Sequence, residues 1–208
     1  SLGFLAPTPS PIEGRWAFRA HCRGIAGLSH HGEMHVGLRG YCGIAPLSDS
    51  DANISFVVPG DTLAGTAPPL WRSFLRLLER FPEVRERVGG ALPLSEVGVV
   101  GPLRLISRHV SAGPFLAVGD ITGFLDPFTG EGITHALATA ELAARSTDES
   151  LKGVPNAARR YEAQVRRLRR LKGPAARAVS ALVDHPSLAE AAGSLLRRSS
   201  WLADRAVR

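Results

Sequence analysis

Between residues 115 and 144 the chain reads FLAVGDITGFLDPFTGEGITHALATAELAA, and no other stretch restricts the fold as much. An apolar run over residues 114–118 ends at Gly119-Asp120. A loop carrying Gly123 and Pro127 follows. Gly130-Glu131-Gly132 then opens a segment with alanine at 136, 138, 140, 143 and 144. The pattern predicts a buried strand, a loop over 119–129 and a helix over 130–145 that can pack close to its neighbours. Two glycines at a helix start leave backbone N–H groups uncovered, and the positive end of the helix dipole points the same way. That end suits an anion or an electron-rich carbonyl. Asp120 adds a carboxylate that accepts hydrogen bonds from sugar-type hydroxyls. Parts so arranged form a polar cofactor site beyond the carboxyl end of a strand. A plain strand-to-helix turn, with glycine needed only for tight packing, has the same spacing.

The rest of the chain predicts an α+β fold. Residues 15–23 (RWAFRAHCR) alternate around Trp16, Phe18 and Ala20 at strand period, and 33–36, 41–46 and 53–58 are further short strands. Residues 37–40 read as a hairpin turn with glycines at the positive-φ positions, and 48–51 as a second turn. Leu70, Phe74, Leu77, Leu78 and Phe81 recur along one helical face. Pro82 ends that helix or starts a new turn, with Glu83 favourable near an N-terminus. Extended structure returns over 97–110, broken at Gly101-Pro102. After Pro155 the signals are all helical. Tyr161, Val165 and Leu168 form a stripe, with Arg159, Arg160, Arg166, Arg167, Arg169 and Arg170 mostly off it. Gly173-Pro174 is expected to break that helix, leaving two more over 175–183 and 187–196. Four segments result: an antiparallel sheet over 1–62, a helical segment over 63–96, the strand–loop–helix over 97–150 and a basic helical region over 151–208.

The 115–144 stretch resembles the second FAD motif of the aromatic-hydroxylase-type flavoprotein superfamily. That superfamily includes aromatic-ring monooxygenases, flavin-dependent halogenases and geranylgeranyl-reductase-like enzymes. Its pattern is an apolar strand, Gly-Asp, a short loop, then Pro-x-x-Gly-x-Gly opening an alanine-rich helix, here Gly119-Asp120 and Pro127-Phe128-Thr129-Gly130-Glu131-Gly132. The resemblance implies FAD as cofactor, Asp120 as the ribityl contact, and N–H groups of Gly130, Gly132 and Ile133 facing flavin N1 and O2. Donors there favour the reduced flavin. Residues 17–58 resemble the substrate-binding sheet of the geranylgeranyl-reductase-like branch. At 40–46 (GYCGIAP) that branch and the halogenases carry Gly-(Tyr/Trp)-x-Trp-x-x-Pro, and Gly43 stands in place of the tryptophan. Halogenation is therefore not expected.

The superfamily's first motif, Gly-x-Gly-x-x-Gly in a βαβ unit that cradles the pyrophosphate, does not occur in this sequence. The chain starts at Ser1 and its sole methionine is Met34. The expectation is thus a C-terminal part of a longer FAD-dependent oxidoreductase, without the N-terminal Rossmann βαβ. Its chemistry would be flavin-mediated reduction or hydroxylation of a hydrophobic or aromatic small molecule, with no catalytic side chain identified. The alternatives are an FAD-dependent aromatic or polyketide monooxygenase and a truncated, catalytically incompetent flavoprotein fragment.

The remaining candidates are weaker. His21, His35 and Tyr41 line a substrate cavity if their strand faces are right, and a one-residue slip would flip each. His30, His31 and His35 (HHGEMH) read as ordinary loop and strand histidines rather than a metal site. His135 reads as a polar helix-surface residue rather than a proton donor to flavin, and Glu131 as a cap. The net charge of +6 comes from residues 151–208, which hold 13 basic and 4 acidic side chains. That bias reads as a solvated amphipathic helix, with peripheral membrane contact kept open and no nucleic-acid partner expected. Two cysteines, Cys22 and Cys42, and no long apolar run point to a reduced, cytoplasmic protein.

Overall fold

The computed structural model describes residues 14–37, 39–63, 68–103, 107–123, 127–185, 187–188 and 194. One compact unit is built on Trp16–Val100 and a second on Gly101–Ser180.

The first unit is an antiparallel sheet with helices on one face. Strand β1 is Arg15–Arg23, with Phe18, Ala20 and Cys22 turned inward and Arg19 and Arg23 outward. Strands β2 (Glu33–Gly37) and β3 (Gly40–Pro46) form a hairpin whose last pair is Gly37 opposite Gly40. Its positive φ falls on Arg39, at 58°, not on either glycine. The glycines are needed for space instead. A Cβ at Gly37 would stand 2.6 Å from the Phe81 ring, and one at Gly40 2.6 Å from the Val57 carbonyl oxygen. Strand β4 (Asp51–Pro59) pairs with β3 across a turn in which Ser48 Oγ accepts from Asp51 N at 3.1 Å.

Helix α1 (Leu70–Leu77) passes through a 3-10 turn at Leu78–Arg80, and helix α2 (Pro82–Val88) follows. Pro82 therefore does both things its sequence position allows: the first helix ends, and the proline opens the next, where its missing N–H costs nothing. Phe74, Leu77, Leu78, Phe81, Val84 and Val88 all enter the sheet's core. Phe56 of β4 meets Phe74 edge-on at 4.9 Å and stacks on Phe81 at 5.6 Å. Burying an aromatic ring of this kind contributes about 1.5–3 kcal/mol. Strands β5 (Leu92–Pro93) and β6 (Gly98–Val100) both pair with β1, giving the order β2-β3-β4-β1-β5 with β6 also on β1.

The second unit carries the 115–144 stretch. Strands β7 (Ser111–Ala112) and β8 (Phe115–Leu116) make a small hairpin turned at Gly113, whose φ is 56°. The expected buried strand is thus only two residues long. Ala117 N extends the ladder to Val110 O at 2.9 Å, but Phe115 and Val118 are exposed. Two 3-10 turns follow, at Gly119–Thr122 and Pro127–Thr129; residues 124–126 lie outside the described residues. Helix α3 is Gly132–Leu151 and helix α4 is Ala157–Asp184.

Helix α4 corrects the expected break at Gly173-Pro174, because it runs through both residues. Proline deletes one main-chain hydrogen bond, and the glycine before it has no Cβ to clash with the ring. The stretch 175–183 therefore belongs to α4, while most of 187–196 lies outside the described residues. Tyr161 and Val165 are buried as the stripe requires, and with Val110 and Ala117 they form the core of this unit. Among the described residues no helix is long and apolar enough to cross a membrane.

Tyr161 is fully buried, and its hydroxyl donates to the Ala117 carbonyl. One residue further on, Ser111 Oγ donates to Glu162 Oε1 at 2.9 Å. These two contacts fix α4 against both strands of the hairpin. Burial pushes the Tyr161 phenol up to about 12. The unfolded chain ionises its tyrosine near pH 10 while the folded chain holds the proton, so stability falls as pH rises from about 10 to 12, by about 1.4 kcal/mol per unit. The buried thiols of Cys22, pushed up to about 11, and Cys42 act in the same sense from about pH 9. Urea titrations at several pH values separate them: Tyr161→Phe is expected to cost about 1–3 kcal/mol at pH 7. It should also lose stability less steeply than wild type above pH 10.

Candidate functional site

The polypeptide reverses direction at Gly119, which sits at φ 65° and is buried. A side chain there would be strained whatever its size, and its Cβ would lie 3.4 Å from Cβ of Ala136. The small residues of α3 thus let the turn press against the helix. Both main-chain groups of Gly119 are used. Its N–H donates to Thr139 Oγ1 at 2.8 Å, and its carbonyl accepts from Thr122 Oγ1 at 2.7 Å. Thr122 and Thr139 are fully buried. His135 completes the group, with Nε2 2.7 Å from Thr122 Oγ1. It is half-buried, with one ring nitrogen turned to the turn rather than wholly to solvent.

Asp120 follows directly and points outward. Its side chain is exposed, with no hydrogen-bond partner among the described residues. A Cβ on Gly132 would stand 3.9 Å from Asp120 Oδ1, so the carboxylate lies beside the first residue of α3. The helix start is open as well. Gly130 sits at φ 67° with nothing within 4 Å of where its Cβ would be. Glu131 holds the N-cap position but makes no side-chain cap. Among the described residues the N–H groups of Gly132 and Ile133 have no acceptor, whereas Gly130 N donates to Pro127 O at 3.0 Å. The expected trio of N–H donors is therefore a pair. Pro127 contributes the carbonyl that ties off the third.

Exposed apolar side chains surround these polar groups. Ile133 is 78% and Leu137 67% exposed, one turn apart on α3, and Val118 and Ile121 flank Gly119-Asp120. The arrangement is a carboxylate acceptor, two aligned N–H donors at a positive helix end and an apolar rim. It can hold a molecule with both hydroxyls and an electron-rich carbonyl next to a planar apolar part.

On its far side the turn meets α4. Gly123 has φ 125°, and a Cβ there would fall 3.0 Å from Cζ of Arg169. The guanidinium lies against bare backbone, which gives this arginine a structural place that the charge pattern did not reveal.

Strand alternation divides the trio His21, His35 and Tyr41. Tyr41 and His21 lie on the sheet face opposite the helices, with Met34, Gly43, Ser55 and Val57. His35 pairs with Cys42 and so stands on the helix-covered face. There its Nε2 is 3.0 Å from Glu33 Oε2, and Arg87 grips the same carboxylate at 2.5 and 2.9 Å. The Arg87 hydrogen bonds hold the Glu33 carboxyl below its ordinary range. His35 thus belongs to a strand–helix ion network and not with the other two. Gly43 is half-buried, and a Cβ there would lie 3.9 Å from Met34 Sδ. The methionine fills the space beside the glycine.

No family model matches the chain. It is 32% identical to the digeranylgeranylglycerophospholipid reductase of Methanocella arvoryzae, over 61% of this chain and 31% of that protein. Several solved structures share its fold. A flavin-dependent brominase superposes with a TM-score of 0.75 at 17% identity, over 94% of this chain and 50% of its own. The myxobacterial chondrochloren halogenase, an FAD-dependent enzyme, gives 0.68 at 19%, over 79% and 40%. A geranylgeranyl bacteriochlorophyll reductase-like protein of Thermoplasma acidophilum gives 0.64 at 17%, over 85% and 45%. The chain thus spans about a third of the curated relative and at most half of these structures.

The geometry of the turn makes Gly119 its most sensitive position. Gly119→Ala should cost about 1–3 kcal/mol from the forced left-handed conformation, read by urea denaturation. Gly113→Ala, left-handed but with nothing within 4 Å of its Cβ, should cost less. Equal costs at the two positions would show that the approach of Ala136 does not matter.

Proposed function

We propose that the chain is part of an FAD-dependent oxidoreductase, and that its Gly119–Thr122 turn and the start of α3 hold the ribityl and pyrimidine parts of an FAD. The observation that carries this reading is the exposed Asp120 carboxylate, without a partner among the described residues, beside the two unused N–H groups of Gly132 and Ile133. Asp120 accepts from ribityl hydroxyls. The N–H pair and the helix dipole take an electron-rich carbonyl and stabilise negative charge that builds there. Gly130 leaves room for a flat ring, with Pro127 and Glu131 setting the entry into α3. FAD supplies two-electron transfer when bound, and the chain supplies its position and electrostatics. The described residues fit this end of the cofactor, and the sequence has no Gly-x-Gly-x-x-Gly cradle for the diphosphate.

The activity we infer is flavin-mediated conversion of a hydrophobic small molecule, with reduction favoured. The sequence relative is a reductase, and a glycine at 43 with Met34 beside it leaves the halogenase-type tryptophan position empty of any aromatic. His21 and Tyr41, on one face of the sheet, are the side chains proposed to meet substrate.

Riboflavin tests the cofactor end directly, because it carries the ribityl chain and the ring without the diphosphate. Titration of the chain into riboflavin should quench flavin fluorescence. Asp120→Ala should weaken binding about tenfold or more, the size of a lost hydrogen bond to a charged acceptor. Its stability should stay within about 0.5 kcal/mol of wild type, as for an exposed position. Unchanged binding in Asp120→Ala would reject the assignment.

A further inference from the structure

The closed set of hydrogen bonds around Gly119 assigns a role to residues that the FAD motif itself does not explain. We propose that His135 and Thr122 are positioning residues that hold Asp120 at the helix start, and so set the strength of flavin binding without touching the flavin. The proposal rests on the reading of the Asp120 site given above.

The proton count fixes the arrangement. Thr122 Oγ1 has one hydrogen and lies 2.7 Å from both the Gly119 carbonyl and His135 Nε2. A carbonyl can only accept, so the hydroxyl hydrogen goes to Gly119 O. The imidazole must then donate through Nε2–H to the hydroxyl oxygen. Thr139 Oγ1 in turn accepts from Gly119 N and donates within α3 towards the His135 carbonyl at 2.8 Å. One residue, His135, therefore meets the turn twice: its ring reaches Thr122, and its carbonyl anchors the threonine that holds Gly119 N. The turn on which Asp120 stands is locked to α3 from both ends. Its hydroxyls are fully buried, where a broken hydrogen bond is not replaced by water. An exposed carboxylate with no partner among the described residues has nothing else to fix its direction. Among the described residues, the backbone beneath it is its only constraint.

Four variants and three readouts test this. Thr122→Val and His135→Leu remove the hydroxyl and the donor at similar volume. Thr122→Ser and His135→Gln restore a hydroxyl and a donor. Riboflavin affinity is measured by fluorescence for all four and for Asp120→Ala. Amide exchange and long-range ¹H–¹⁵N spectra of the imidazole are recorded on the free chain. The expected result is binding weakened about tenfold in Thr122→Val and His135→Leu, with near-wild-type binding in the two conservative variants. Faster exchange should be confined to residues 119–123, with the amides of β3 and β4 unchanged. The imidazole should carry its hydrogen on Nε2. Wild-type affinity in Thr122→Val and His135→Leu, while Asp120→Ala has lost it, would overturn the positioning role and leave the flavin site standing. An imidazole protonated only on Nδ1 would overturn it as well. Failure of the wild-type chain to bind riboflavin, or indifference to Asp120→Ala, would remove the flavin assignment and this inference together. Unfolding of a variant's second unit would show as loss of protection throughout α3 and α4, and the restoring variant at the same position then decides.

Discussion

Gly119 is held in a left-handed conformation with both of its main-chain groups bound to buried threonine hydroxyls, and the geometry of the second unit follows from this. A residue at φ 65° sends the chain off the strand axis, so Asp120 leaves the hairpin pointing at the first turn of α3. The same turn brings Ala136 and Thr139 close enough to bind it, which requires small side chains on that helical face. From the other side, Tyr161 holds the carbonyl of Ala117, two residues before the turn. The site is therefore placed by backbone gripped from two helices, and its outward groups need no further support.

This arrangement separates groups bound within the protein from groups left open. The hydroxyls of Thr122, Thr139 and Tyr161 are buried and fully occupied by protein. Asp120 and the N–H groups of Gly132 and Ile133 are left without partners among the described residues, on a surface rimmed by Val118, Ile121, Ile133 and Leu137. Apolar neighbours lower the local dielectric, which strengthens any hydrogen bond the unpaired groups make to a ligand.

The sequence revealed those parts of the fold that depend on local pattern. β1 begins and ends at the expected residues because its alternation is unbroken. β3 and β4 are longer than expected by one to three residues, through turn residues that join the ladder. Pro174 misled, since a helix can absorb one missing donor when the rest of its length is held. Gly37 and Gly40 do bound a turn, but not because either needs a positive φ. The demand on them is a phenyl ring and a carbonyl that arrive from distant residues. The Gly-Asp and Pro-x-x-Gly-x-Gly residues carry the resemblance that implies a cofactor end, whereas the loss of Gly130 N to Pro127 depends on a 3-10 turn that no motif spells out. Thr122, Thr139 and His135 were not readable as a unit at all. Their contacts join positions 13 to 20 residues apart, and hydroxyls carry no periodic signal. The separation of His35 from His21 and Tyr41 is not legible in the sequence, which does not specify the sheet face that each strand position takes.

We propose that flavin meets this chain at the Gly119–Thr122 turn and the first residues of α3. Amide chemical-shift mapping on the ¹⁵N-labelled chain with added riboflavin tests it most directly. Saturable shifts are expected at Gly119, Asp120, Gly132 and Ile133, with little change in the β2–β3 hairpin. Shifts centred elsewhere, or none at these four amides while flavin fluorescence is quenched, would contradict it.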